Sequence, residues 1–201
     1  MKLYYFPGAC SLAVRIALNE AGASFDCEKV DLAEKKTESG ANYLEINPKG
    51  YVPALELDNG ELLTEVGALL QYVADQNGSA NLLAPVGDLG RYRVLEAINY
   101  CSTELHKNFG PMFNPAVTDE EKAAAEELIG SRLALFNDQL NSGPYLFGDQ
   151  FTIADAYLIT ILGWTQFVQM DISPWPNLGR YVGQAMGRAA VQKSMQEEGL
   201  G

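Results

Sequence analysis

The chain has 201 residues, is 47% hydrophobic and 20% charged, and carries a formal net charge of −12; it can bury a core in one large domain or two small ones, and wholesale disorder is excluded. Its 14 lysines and arginines are scattered through an acidic field, which argues against nucleic acid and anionic membrane surfaces as partners, and no apolar stretch approaches the roughly 20 residues of a membrane span. Three cysteines without a CxxC pair, together with a single histidine, suggest neither a disulfide framework nor a metal site.

Lys2–Phe6 ("KLYYF") predicts a strand. Residues 10–21 predict a helix, with Leu12, Ile16 and Asn19 three or four apart and Gly22 placed to stop it in a left-handed turn. Residues 25–32 alternate as a second strand, and residues 40–47 suggest a short helix. Residues 53–58 and 61–64 form a hairpin about Asn59-Gly60, a pair suited to the two positive φ angles of a type I′ turn. Residues 65–76 close the unit as a helix, so the order is β-α-β-α-β-β-α. Residues 77–89 have a linker composition of Gly, Ser, Asn and Pro.

Beyond the linker no strand is predicted. Residues 88–109 read as a long helix ended by Gly110-Pro111. Residues 118–140 open with the capping-box pair Thr118 and Glu121, and residues 151–168 with Thr152 and Asp155. The latter helix is apolar nearly all round, which places it at the centre of a helical domain. "SPWPNLGRYVGQAMGR" and "AAVQKSMQEE" add two short helices. The expected domains are an α/β unit over residues 1–81 and an all-α unit over residues 87–201. The N-terminus has no long apolar segment of the signal-peptide kind, so the simplest expected address is the cytoplasm.

Cys10 stands where the first strand meets the first helix. The free N–H groups of a helix start favour a thiolate, so this placement predicts a pKa below the ~8.5 of a free thiol. A packing role is the equal alternative. Cys27 and Cys101, inside a strand and a helix, read as small buried hydrophobes. Val52-Pro53 enters the hairpin strand, either as an ordinary edge-strand proline or as a cis bond. Glu65 precedes a helix, where acids are common, and could accept from an ammonium group. His106 on its own reads as an ordinary helical residue.

Taken together these features resemble a thioredoxin-like glutathione site, and "GDQFTIADAYL" resembles the C-terminal domain of glutathione transferases. The succession of "KLYYFPGACSLA", "NPKGYVPALELDNGELLTE", "TELHK" and "EEGLG" is similar to a bacterial beta-class glutathione transferase from Met1 to about Leu200. The resemblance implies a thioredoxin-like N-terminal domain, an all-α C-terminal domain, and conjugation of the glutathione thiolate to apolar electrophiles. Glutathione is then a co-substrate, and no further cofactor is implied.

The resemblance also implies roles for individual residues. Cys10 lies beside the glutathione sulfur, and His106 approaches that sulfur from the helical domain. Lys35 holds the glycyl carboxylate. The Val52 backbone, before a cis Pro53, pairs with the cysteinyl backbone like an added strand. Glu65 and Val66 bind the γ-glutamyl end. Asn99, Thr103 and Glu104 complete the site, some of them from the second subunit of a homodimer, and Tyr5 matches an aromatic residue near it. The family usually carries Ser or Gly after the glutamate. Here Val66 precedes Gly67, so a backbone N–H rather than a hydroxyl is expected to meet the carboxylate. Two other activities remain open at this point: a glutathione-dependent thiol reductase or peroxidase acting through Cys10, and a non-catalytic carrier of apolar ligands.

Overall fold

The computed structural model describes residues 1–201, the side chain of Ser79 apart. Its contacts divide the chain into two units: Met1–Leu83 together with Ala189–Gly201, and Ala84–Arg188. The break falls inside the 77–89 linker. The last residues, expected within the helical domain of 87–201, pack into the first unit instead. Their reason is chemical: Ser194 accepts from Asn19 Nδ2 at 2.9 Å, and Glu198 accepts from Arg15 Nε at 2.9 Å.

The first unit contains β1 (Lys2–Tyr5), α1 (Ser11–Glu20), β2 (Asp26–Asp31), β3 (Lys36–Thr37), α2 (Tyr43–Ile46), β4 (Ala54–Glu56), β5 (Leu62–Thr64) and α3 (Val66–Gln76). The sheet order is β3-β2-β1-β4-β5. β1 runs parallel to β2 and antiparallel to β4, and the β2–β3 and β4–β5 pairs are antiparallel. The two-residue β3 is an addition to the expected order.

β1 is apolar on both faces because both are covered. Leu3 sits opposite Leu55, and both are fully buried. Tyr4, on the other face, packs with Val30, Tyr43, Val52 and Ala54. Every residue of α1 from Ser11 to Leu18 is buried, and Gly22, at φ 64°, ends it with the Ala23 N–H bonded to the Leu18 carbonyl at 3.0 Å.

The hairpin differs from the expected type I′ turn. Only Gly60 has positive φ (83°). Gly60 N–H bonds Leu57 O at 2.9 Å, and Leu57 N–H bonds Glu61 O at 2.8 Å. This is a three-residue loop, with a type I turn and Gly60 in the left-handed place. Strand register decides it: Glu56 faces Leu62, which leaves one residue too many for a two-residue turn.

The second unit begins with α4 (Leu89–Tyr100), capped by Asp88. The chain then widens into a π-helical turn over Cys101–His106, tightens to a 3₁₀ turn over Lys107–Phe109 and continues as α5 (Gly110–Phe113). Gly110-Pro111 therefore does not end the helical path. In the 3₁₀ turn the Gly110 N–H already bonds the Lys107 carbonyl, the group that a residue at 111 would otherwise bond, so the missing proline N–H orphans nothing.

α6 (Asp119–Gln139) starts at the predicted Thr118–Glu121 capping box. α7 (Ile153–Phe167) is buried from Ile153 to Leu162. At its start Asp155 accepts from Thr152 N–H and Oγ1, both at 2.8 Å, and from Leu146 N–H at 3.0 Å. α8 (Pro176–Met186) starts on a proline, and α9 (Ala189–Glu197) belongs to the first unit.

Candidate active site

Cys10 is the N-cap residue of α1, as its spacing implies. Its thiol, however, donates to the Val52 carbonyl at 3.4 Å. Burial pushes the thiol up to about 12; its own and Ser11's backbone N–H groups pull the other way, and Glu65 adds to the rise. The expectation of a depressed pKa is thus overturned. Desolvating a thiolate costs more than a helix start returns. Cys101 is buried, whereas Cys27 is only half-buried, contrary to the packing role expected of it.

Tyr5 is stacked under the Arg15 guanidinium, 4.3 Å from ring centroid to Cζ. Its phenol is raised from its ordinary value by burial, so it carries no phenolate at neutral pH. The Arg15 side chain is itself buried, held by Glu198 at 2.9 Å and Glu197 at 3.1 Å. The second oxygen of Glu198 accepts the Gly8 N–H at 2.9 Å, tying the C-terminal segment to the loop that carries Cys10.

The Val52-Pro53 bond is cis, and Val52 leads directly into β4. Lys35, at φ 53°, donates from Nζ to Gly50 O at 2.9 Å and lies 5.7 Å from the Tyr51 ring centroid. Glu65, at φ 72°, is the residue before α3. This left-handed backbone is uncommon for a residue with a side chain. Its carboxylate bonds the Lys49 ammonium at 2.7 Å. Val66 opens α3 with its side chain buried, and the N–H groups of a first helical turn have no intrahelical acceptor. The first unit thus brings Tyr5, Cys10, Lys35, Val52, Pro53, Glu65 and Val66 to the Cys10 loop, the Lys35–Gly50 contact and the start of α3.

In the second unit Thr103, Glu104 and His106 all stand on the π-helical turn, and Asn99 is one turn before it. Such turns are rare and concentrate at functional positions. Thr103 Oγ1 donates to Asn99 O at 3.1 Å, and Glu104 pairs with Arg132 at 3.1 Å. His106 Nδ1 lies 2.7 Å from the Tyr157 hydroxyl, and its ring stands edge-on to Trp164 at 4.8 Å. Burial pushes the imidazole down to about 4, so it is neutral at physiological pH. Sequence reasoning missed Tyr157, Trp164, Lys49 and Glu198. Lys49, Glu198 and Tyr157 carried a signal, through their place in "NPKG", "EEGLG" and "GDQFTIADAYL"; Trp164 carried none. Among the described residues no cluster of His, Cys, Asp and Glu could hold a metal ion, and no helix is long and apolar enough to cross a membrane.

Comparison with known proteins shows the family. Residues 1–75 match the family model for the glutathione S-transferase N-terminal domain, and residues 100–189 that for the C-terminal domain. The chain is 43% identical to the glutathione S-transferase GstA of Escherichia coli O157:H7, with all of both chains covered. The solved structure of a sphingomonad glutathione S-transferase complexed with glutathione matches with a TM-score of 0.95 at 47% identity, covering both chains fully. A bacterial beta-class glutathione S-transferase from Sphingomonas chungbukensis matches with a TM-score of 0.96 at 45% identity, also over both full chains. The chain belongs to the glutathione S-transferase family, on the bacterial beta-class pattern that its motifs predict.

Proposed function

We propose that the protein binds glutathione along the first unit and transfers its thiolate to electrophilic, mostly apolar small molecules. The observation that carries this reading is Glu65. Its carboxylate stands at the start of α3 and already bonds an ammonium group, that of Lys49. A γ-glutamyl ammonium makes the same bond, while the γ-glutamyl carboxylate takes the free N–H of Val66. The Val66 side chain is buried, so the missing hydroxyl costs this site only one neutral hydrogen bond. The cysteinyl backbone pairs with Val52 as an added strand; the Val52 carbonyl has a second lone pair beside the one the Cys10 thiol uses. Lys35 is assigned the glycyl carboxylate.

Bound glutathione must lose its thiol proton to react. Lowering that pKa by two units takes about 2.7 kcal/mol, which a few oriented donors supply. His106 is assigned one of these. A neutral imidazole donates from one nitrogen only. If the Tyr157 hydroxyl donates to Nδ1, the proton sits on Nε2, free to donate to sulfur. Cys10, held as a thiol, is a neighbour of the reacting sulfur and not the nucleophile, which disfavours the reductase reading.

Asn99, Thr103 and Glu104 are assigned to the glutathione site of a homodimer, and Tyr5 to support of the Arg15 side chain. The family pattern further suggests residence in the cytoplasm and a role in detoxification. The test is retention on immobilised glutathione followed by turnover of an activated aryl chloride, with Glu65→Ala as the diagnostic variant. Loss of a charge-assisted hydrogen bond predicts glutathione binding weakened about ten- to a hundred-fold. Val66→Ser should change it far less. A parent protein that neither binds the resin nor turns over the chloride overturns the reading. Sedimentation of a fully active monomer overturns the homodimer.

A further inference from the structure

Lys49 is a residue to which no motif assigns a role. It occupies the third place of the turn Asn47-Pro48-Lys49-Gly50, closed by Gly50 N–H to Asn47 O at 2.9 Å with Gly50 at φ 67°. The turn is anchored. Asn47 is buried, donates from Nδ2 to Tyr51 O at 2.8 Å and accepts the Lys49 N–H at 3.2 Å. The buried Tyr43 donates its hydroxyl to the same Tyr51 carbonyl at 2.8 Å. From this fixed base the Lys49 side chain reaches the start of α3, with Nζ 2.7 Å from Glu65 Oε1 and 2.9 Å from Thr64 Oγ1.

We propose that Lys49 is an internal competitor at the glutathione site: an ammonium that holds Glu65 until the α-ammonium of the ligand replaces it, and so sets how tightly glutathione binds. The inference rests on the reading that Glu65 anchors the γ-glutamyl ammonium. A ligand with a free α-ammonium restores the ion pair that Lys49 gives up. A ligand without one leaves the Lys49–Glu65 pair in place. The side chains of Lys49 and Glu65 are 52% and 71% exposed, so a released Lys49 returns to water, and its flexible four-carbon stem makes the exchange easy. The pair thereby lowers the affinity for a ligand that must displace Lys49 and leaves untouched that for thiols whose γ-glutamyl nitrogen is missing or acylated.

The experiment is calorimetric titration of parent and Lys49→Met with two ligands: glutathione, and glutaryl-cysteinyl-glycine, in which the α-amino group is replaced by hydrogen. Methionine keeps an apolar stem and removes the competing charge. Glutathione should bind Lys49→Met about two- to five-fold more tightly, the full worth of an exposed ion pair. The deaminated ligand should gain nothing. In a Glu65→Gln background the gain should vanish, because the partner for which the two ammonium groups compete is gone. Weaker or unchanged glutathione binding by Lys49→Met, or an equal gain for both ligands, overturns the proposal while leaving Glu65 as the anchor, provided that Glu65→Gln alone weakens binding. If Glu65→Gln binds glutathione like the parent, the anchor reading fails, and the proposal with it.

Discussion

His106 is the only histidine in the chain, so replacing it removes every imidazole titration at once. Burial between Tyr157 and Trp164 holds it near 4, against about 6.5 in an unfolded chain. The folded state therefore resists protonation. Its contribution to stability is fully present above pH 6.5 and is lost as pH falls from about 6.5 to about 4. The difference amounts to about 3 kcal/mol. Asp155 works in the opposite sense in nearly the same window. Burial pushes it up to about 6 despite the N–H groups of Leu146 and Thr152, against about 3.9 unfolded. Its contribution is fully present below pH 4 and is lost as pH rises towards 6, again by about 3 kcal/mol.

The two slopes cancel over most of the range from pH 4 to 6, so these groups give the parent protein no net acid sensitivity there. In His106→Gln the cancellation is lifted. The stability difference between parent and variant, from urea denaturation at each pH, should shrink by about 3 kcal/mol as pH falls from 6.5 to 4. The imidazole resonance of the parent should titrate with a midpoint near 4. A midpoint at or above 6.5, or a difference independent of pH, refutes the account of His106 as a neutral, desolvated ring.

Three further outcomes follow from the geometry. In a variant lacking Cys27 and Cys101, alkylation of Cys10 against pH should show a midpoint well above an ordinary thiol's; a midpoint at or below ~8.5 would restore the helix-start expectation. Glu198→Ala removes the buried partner of the Arg15 guanidinium and leaves it the part-exposed Glu197, so it should cost about 1.5–3 kcal/mol in urea denaturation, with much of the loss recovered when Arg15 is changed to Met in the same chain. Gly143→Ala places a Cβ 2.7 Å from the Gly148 backbone and should lower stability by about 1–3 kcal/mol; Gly179→Ala, in α8 with nothing within 4 Å of the new atom, should raise it by roughly 0.5–1 kcal/mol, and a thermal melt that reverses the order contradicts the packing account.

Features set by neighbours along the chain are legible in the amino-acid sequence itself. The Thr118–Glu121 and Thr152–Asp155 caps, the stop at Gly22 and the apolar surface of α7 depend on spacings of two to four residues. The turn at Asn59-Gly60 reads as type I′ from its residues alone, and the register across β4 and β5 makes it a three-residue loop instead. The π-helical turn carrying Thr103, Glu104 and His106 has no local signature, since a widened turn is chosen by how the helix packs and not by its composition.

Cys10 shows why site residues were easier to locate than to characterise. The sequence displays its place at a helix start, where the dipole is worth about 0.3–1 kcal/mol. It does not display the burial that penalises a thiolate by up to about 3–5 pKa units, nor the Val52 carbonyl that accepts the thiol proton. The smaller effect was visible and the larger one was not, so the inferred sign was wrong. Glu65 illustrates the same limit without a reversal. An acid before a helix could be read as an ammonium acceptor, and in the fold it is one, but its partner in the free protein, Lys49, comes from a turn sixteen residues away. The chemistry of such a site resides in which polar groups are already paired before the substrate arrives, and that is a property of the folded contacts alone.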